Sequence, residues 1–118
     1  MSSCGSFALV LHSHIPYCRK SGVWPFGEEW VFEAMAETYI PILDLLSAAI
    51  DSRLEPRVAV SLSPVLAEQL ADCYMKSRFV EYVEMRKKAA VHDAERHEAE
   101  HDDRLALLAT EYAEYYEY

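Results

Sequence analysis

Apolar residues cluster first at Phe7-Ala8-Leu9-Val10-Leu11, an unbroken run that ends at His12. Runs of this kind predict a strand buried on both faces, as in a parallel sheet. Residues 13–27 hold two prolines and two glycines among aromatic side chains and read as a loop. In small domains a loop of that length goes with function or mobility. From Glu28 to Ile50 the spacing changes to three and four. Val31, Met35, Tyr39, Ile42, Leu46 and Ile50 form one apolar stripe of a helix, with Glu28 and Glu29 in the first turn, where the helix dipole favours anions. Pro41 lies inside that stripe. It lacks an N–H, and its ring crowds the preceding turn, so it predicts a kink or a split. Residues 52–56 are a connector, and Arg57 to Leu62 alternates as a second strand. Ser63 and Pro64 supply an N-cap and a first helical position for a helix running through Val65, Leu66, Gln69, Leu70 and Cys73. Strand, helix, strand, helix opens an α/β fold with parallel strands joined by a right-handed crossover.

Beyond residue 75 the pattern is helical throughout, as one long helix or two with a soft junction. Phe79, Tyr82, Val83 and Met85 make one end apolar, and Leu105, Leu107, Leu108, Tyr112, Tyr115 and Tyr116 make the other. Between them, His92 to Arg104 contains no large apolar residue. A helix that is polar all round has nothing to bury, so this stretch is expected to bridge solvent or to be weakly held. The closing tyrosines, Tyr112, Tyr115, Tyr116 and Tyr118, read as helix packing or as the scar of a truncation.

Composition sharpens the division. All three glycines and all five prolines lie in the first 64 residues of 118, so the second half lacks turn-makers. The formal charge is −9, with 13 of the 20 acidic residues after residue 60. Such a surface repels phosphate backbones and anionic membranes, so neither nucleic acid nor membrane is expected as a partner. The apolar fraction of 52% calls for a packed core. No signal peptide or membrane span is legible. Cys4, Cys18 and Cys73 are odd in number and lack zinc-ligand spacing, which fits free thiols in a reducing cytoplasm.

Three clusters have chemical content. His12-Ser13-His14 follows the first strand, where the strands of parallel folds present their binding face. In extended geometry both imidazoles point to one side, able to hydrogen-bond a polar ligand or bind a metal. The bland alternative is a pair of histidines satisfied by backbone, and the position before a long loop favours function. Trp24-Pro25-Phe26-Gly27-Glu28-Glu29-Trp30 offers either a sugar-stacking wall or an apolar plug for the loop. Glu28 and Glu29 do not form a facing glycosidase pair, because adjacent helical residues diverge by about 100°. His97-Glu98-Ala99-Glu100-His101 matches the H-E-x-x-H zinc pattern. Its helix has no apolar back, so His92, His97 and His101 read as a solvated face. Ser61 and Ser63 lack a glycine-flanked nucleophile elbow. No catalytic set is complete.

The segments Phe7 to Arg19, Trp24 to Trp30, Glu33 to Leu43 and Leu62 to Asp72, read together, resemble the opening of glycoside hydrolase family 57, most of all its α-glucan branching type. The likeness covers residues 7–75 and is looser beyond. It implies an α/β fold: the first two β/α units of an incomplete (β/α)7 barrel over residues 1–75, followed by a long charged helical excursion over 76–118. It implies a retaining enzyme acting on α-1,4-glucans such as amylose or glycogen, with a glutamate nucleophile and an aspartate acid/base. Both lie downstream of the part represented here, so this chain is expected to be inactive alone, as a piece cut short or completed by a second polypeptide. His12 and His14 match the family's first motif, whose histidines bind sugar hydroxyls without metal. Trp24 lies in the matching aromatic loop, and no cofactor is implied. Two other readings stand beside this one. One is an amidohydrolase-like metal hydrolase built on His12-x-His14, and the other is a non-catalytic helical interaction module over residues 76–118.

Overall fold

A computed structural model describes residues 5–117; Cys4 and Tyr118 lie outside the described residues. The element order is β1 (Leu9–Ser13), α1 (Glu29–Ala34), a π turn (Met35–Tyr39), α2 (Ile40–Asp51), β2 (Val58–Leu62), α3 (Pro64–Ala71), α4 (Cys73–Ala99) and α5 (Asp103–Tyr115). The chain divides into two compact units, Met1–Met75 and Lys76–Tyr118.

In the first unit β1 and β2 pair in parallel, with Leu9 opposite Val58 and Ser13 opposite Leu62. The strand starts and ends two residues later than the apolar run suggests, so His12 and Ser13 belong to it. Backbone pairing with β2 sets those ends, and pairing is not written in the hydropathy of one strand. Nor is the strand buried on both faces: Val10 is 61% exposed and Val60 53%. Each strand has a single strand neighbour among the described residues, and a parallel sheet is fully covered only with layers on both faces.

The helical stripe after the loop is continuous, and Pro41 shapes it as its chemistry requires. It occupies the first turn of α2, and the turn before it widens to π geometry, with Ile40 N–H reaching back to the carbonyl of Met35. That widening accommodates the ring and the missing donor without breaking the helix. Burial fades along the stripe. Val31, Phe32 and Ala36 are buried, whereas no residue of α2 is. With Leu66 of α3, Met75 of α4 and Cys18 of the loop, they form the core of this unit.

Ser63 caps α3 as its position suggests, its Oγ accepting the Leu66 N–H at 3.3 Å. The helix does not run on through Cys73. Asp72 takes an extended conformation, and its Oδ1 accepts the Met75 N–H at 2.9 Å. An aspartate that can cap a new helix end outcompetes continuation of the old one.

In the second unit the helical stretch is two helices. Glu100, His101 and Asp102 separate them, inside the segment that lacks large apolar residues. His101 sits at φ 60°, Asp102 N–H bonds to His97 O at 2.9 Å, and the Asp102 side chain caps α5 by accepting the Leu105 N–H at 3.2 Å. Lys87 of α4 and Glu117 just beyond α5 pair at 2.8 Å, and Tyr82, Ala106 and Tyr116 are buried.

Candidate functional site

The carboxyl ends of β1 and β2 bring together four side chains in two matched pairs. His12 lies opposite Ser61 in the strand register, and its Nδ1 is 3.2 Å from Ser61 Oγ. One step on, Ser63 N–H bonds to Ser13 O at 3.0 Å, and His14 Nδ1 is 3.0 Å from Ser63 Oγ. The period-two alternation of strands puts His12 and His14 on one side, as the spacing suggests. Sequence reasoning tested Ser61 and Ser63 as nucleophiles and missed them as imidazole partners. The signal was the Ser-x-Ser spacing at the end of β2, matching His-x-His at the end of β1. It becomes readable only once the register is known.

The loop after β1 is tied down from both ends. Gln69 of α3 is 1% exposed. Its Oε1 accepts the Cys18 N–H at 2.8 Å and the Cys18 thiol at 3.3 Å, while its Nε2 donates to Pro16 O at 3.1 Å and Val65 O at 3.3 Å. Glu28, also buried, accepts the Lys20 N–H at 2.7 Å, and its own N–H bonds to Gly22 O at 2.9 Å. Burial pushes the Cys18 thiol up, and the nearby Glu28 charge adds to that, so Cys18 is a protonated packing residue. Arg19 pairs with Asp72 at 3.1 Å, and both Arg19 and Lys20 lie over the Tyr74 ring. The carboxyl group of Asp72 sits below the usual carboxylate range, through the Met75 N–H first and the Arg19 guanidinium after it. Cys18 and Cys73 are both unbridged.

Trp24 stands 77% exposed beside a cis peptide bond to Pro25. Its neighbours form the ring pair: Phe26 and Trp30 meet edge to face at 5.2 Å. Gly27 is indispensable to this bend, because a Cβ there would stand 2.2 Å from Gly22 O. Trp24 and Phe26 are both exposed in this chain.

The H-E-x-x-H segment does not present two imidazoles on one helical face. Helix α4 ends at Ala99, and His101 lies in the left-handed turn beyond it. His97 departs from the expected solvated face. It is only 16% exposed, 3.6 Å from the Glu100 carboxylate, and lines a cavity of about 280 Å³ with Arg86, Asp93, Leu108, Tyr112 and Tyr116. The turn folds α5 back along α4 and covers it. Among the described residues, no three His, Cys, Asp or Glu side chains gather as a metal-binding group. No helix among them is long and apolar enough to cross a membrane.

Parallel strands joined through a helix, with imidazoles and hydroxyls at their carboxyl ends, define a protein of the α/β class, a class whose strand ends are the usual place for a binding face. The chain belongs to glycosyl hydrolase family 57, whose sequence model matches residues 8–101. It is 54% identical over 89 residues to a 1,4-alpha-glucan branching enzyme of Thermococcus kodakarensis, covering 75% of this chain and 13% of that protein. It is 40% identical over 70 residues to a probable 1,4-alpha-glucan branching enzyme of Mycobacterium tuberculosis, covering 59% and 13%. Two solved structures superimpose on 92% of the chain at 43% identity. A branching enzyme of this family from Pyrococcus horikoshii has a TM-score of 0.79, and the T. kodakarensis enzyme in complex with glucose has a TM-score of 0.76. The chain spans 21% and 20% of those two chains.

Proposed function

We propose that residues 1–75 are the first two β/α units of a (β/α)7 barrel acting on α-1,4-glucan in the cytoplasm, and that residues 76–118 are its charged helical excursion. In this reading His12 and His14 hydrogen-bond sugar hydroxyls, and Trp24 stacks on a pyranose face. The observation that supports it best is the pairing of His12 with Ser61 and His14 with Ser63 at the strand ends, in a chain 54% identical to a branching enzyme. Retaining glycoside chemistry needs two carboxyl groups facing each other across the scissile bond. The strand ends hold His, Ser and Leu instead, so this part binds glucan, and the glutamate nucleophile and aspartate acid/base belong to a downstream portion or a second polypeptide.

Affinity electrophoresis in amylose gels tests the binding. Wild-type chain is retarded, and His12→Ala, His14→Ala and Trp24→Ala each weaken retention by about twofold to tenfold, the worth of one hydrogen bond or one stacking contact. The purified chain leaves the iodine stain of amylose unchanged. Turnover that disappears on His12→Ala would overturn the assignment of catalysis to other residues, and equal mobility in gels with and without amylose would overturn the binding.

A further inference from the structure

The two imidazole–hydroxyl pairs also determine which hydrogen each histidine shows to a ligand. A neutral imidazole has one N–H and one bare nitrogen, and the partner of one ring nitrogen decides the state of the other. Ser63 Oγ already accepts the Leu66 N–H. Its hydroxyl hydrogen has one side-chain or backbone partner among the described residues, His14 Nδ1 at 3.0 Å. Ser61 Oγ likewise has His12 Nδ1 at 3.2 Å. When the hydroxyl donates, Nδ1 is the acceptor and the ring proton sits on Nε2, on the far side of the ring from the serine. From these contacts we propose that Ser61 and Ser63 are positioning residues that hold His12 and His14 as Nε2–H tautomers, so that both rings offer N–H donors to hydroxyl oxygens of a bound carbohydrate. The part concerning the ligand rests on the glucan-binding reading above; the tautomers do not.

Ser63 has a double task, since the same oxygen caps α3. The helix start and the His14 ring are thereby placed by one atom, which sets the ring relative to the strand ends. Ser61 has no such second role, because its Oγ has no other partner among the described residues. That difference makes the pair separable by mutation.

The test is a long-range proton–nitrogen correlation spectrum of the histidine rings in the full 118-residue chain, read with and without maltoheptaose. In the wild type both rings are expected as Nε2–H. Ser61→Ala is expected to release His12 into an average of the two tautomers and to leave His14 unchanged. Ser63→Thr keeps a hydroxyl, so it preserves the His14 state. Ser63→Asp keeps the cap through a carboxylate that only accepts, so it is expected to turn His14 to Nδ1–H while α3 stays folded. Maltoheptaose affinity is expected to fall by about twofold to tenfold for Ser61→Ala, the scale of one hydrogen bond. Wild-type rings protonated on Nδ1, or a His12 tautomer indifferent to Ser61→Ala, would overturn the proposal. Unchanged affinity in Ser61→Ala, with His12→Ala still weakening binding, would overturn its ligand part. Tautomers that respond as expected in a chain that binds no maltoheptaose would support the positioning and refute the glucan reading instead.

Discussion

Replacing Gln69 with leucine tests whether the loop after β1 is held by its hydrogen bonds or by apolar packing. Leucine fills a similar volume at this fully buried position, so the cavity cost is small. What is lost is the acceptor of the Cys18 N–H and thiol and the donor to Pro16 O. Cys18 is buried, and its amide would be left without a partner, at about 1–3 kcal/mol. Pro16 is exposed, so its carbonyl regains water and adds less. The expected loss is about 2–4 kcal/mol, a large share of the ~5–15 kcal/mol of an ordinary domain. Urea unfolding at equilibrium measures it as a lower midpoint with unchanged slope. Protease cleavage within residues 16–27 is expected to rise in parallel, since the loop loses its tie to α3. A stability loss below about 0.5 kcal/mol, within the range of an ordinary surface substitution, would show that the glutamine bonds do not hold the loop.

Other outcomes follow from single contacts. Gly27→Ala drives a Cβ to 2.2 Å from Gly22 O and 2.8 Å from Val23 O, both backbone atoms, and is expected to cost about 3 kcal/mol, read as a fall in Tm. Asp72→Asn is expected to destabilise the chain at neutral pH. The Asp72 carboxyl is lowered on folding, so its contribution is present above the unfolded aspartate value and fades as pH falls through the folded one. The gap between wild type and Asp72→Asn in urea midpoint therefore closes below about pH 4; a gap that widens on acidification would contradict the contact. Zinc titration calorimetry is expected to show no tight stoichiometric site at His97 and His101, because α4 ends between them. Tight binding abolished by His97→Ala would contradict that.

Much of the fold was legible because its local signals agree with one another. Ser63-Pro64 marks a helix start by capping chemistry alone, and the stripe from Val31 to Leu46 needs no partner to be recognised. Pro41 announced a disturbance, and its form is a π turn that accommodates the ring and the missing donor inside a continuous helix. The strand ends, the break at Asp72 and the burial of His97 escaped notice for a shared reason. Each is decided by a group distant in sequence or by a competing side chain, and hydropathy does not record either. His12 and His14 could be picked out by their position after a strand. Their partners could not, since Ser61 and Ser63 gain meaning only from the cross-strand register. The sequence marks Gln69 only as one residue of the helix after Ser63, and its four hydrogen bonds appear only when the loop closes over it.

Binding of α-glucan at the paired strand ends is tested most directly by titrating the 118-residue chain with maltoheptaose while following the ring and amide resonances of His12, His14, Ser61 and Ser63. Saturable shifts at these four residues, weakened by His12→Ala and His14→Ala and accompanied by unmoved resonances in α5, are the expected result. Resonances at the strand ends that stay fixed up to saturating oligosaccharide, or that move identically in His12→Ala, would contradict it.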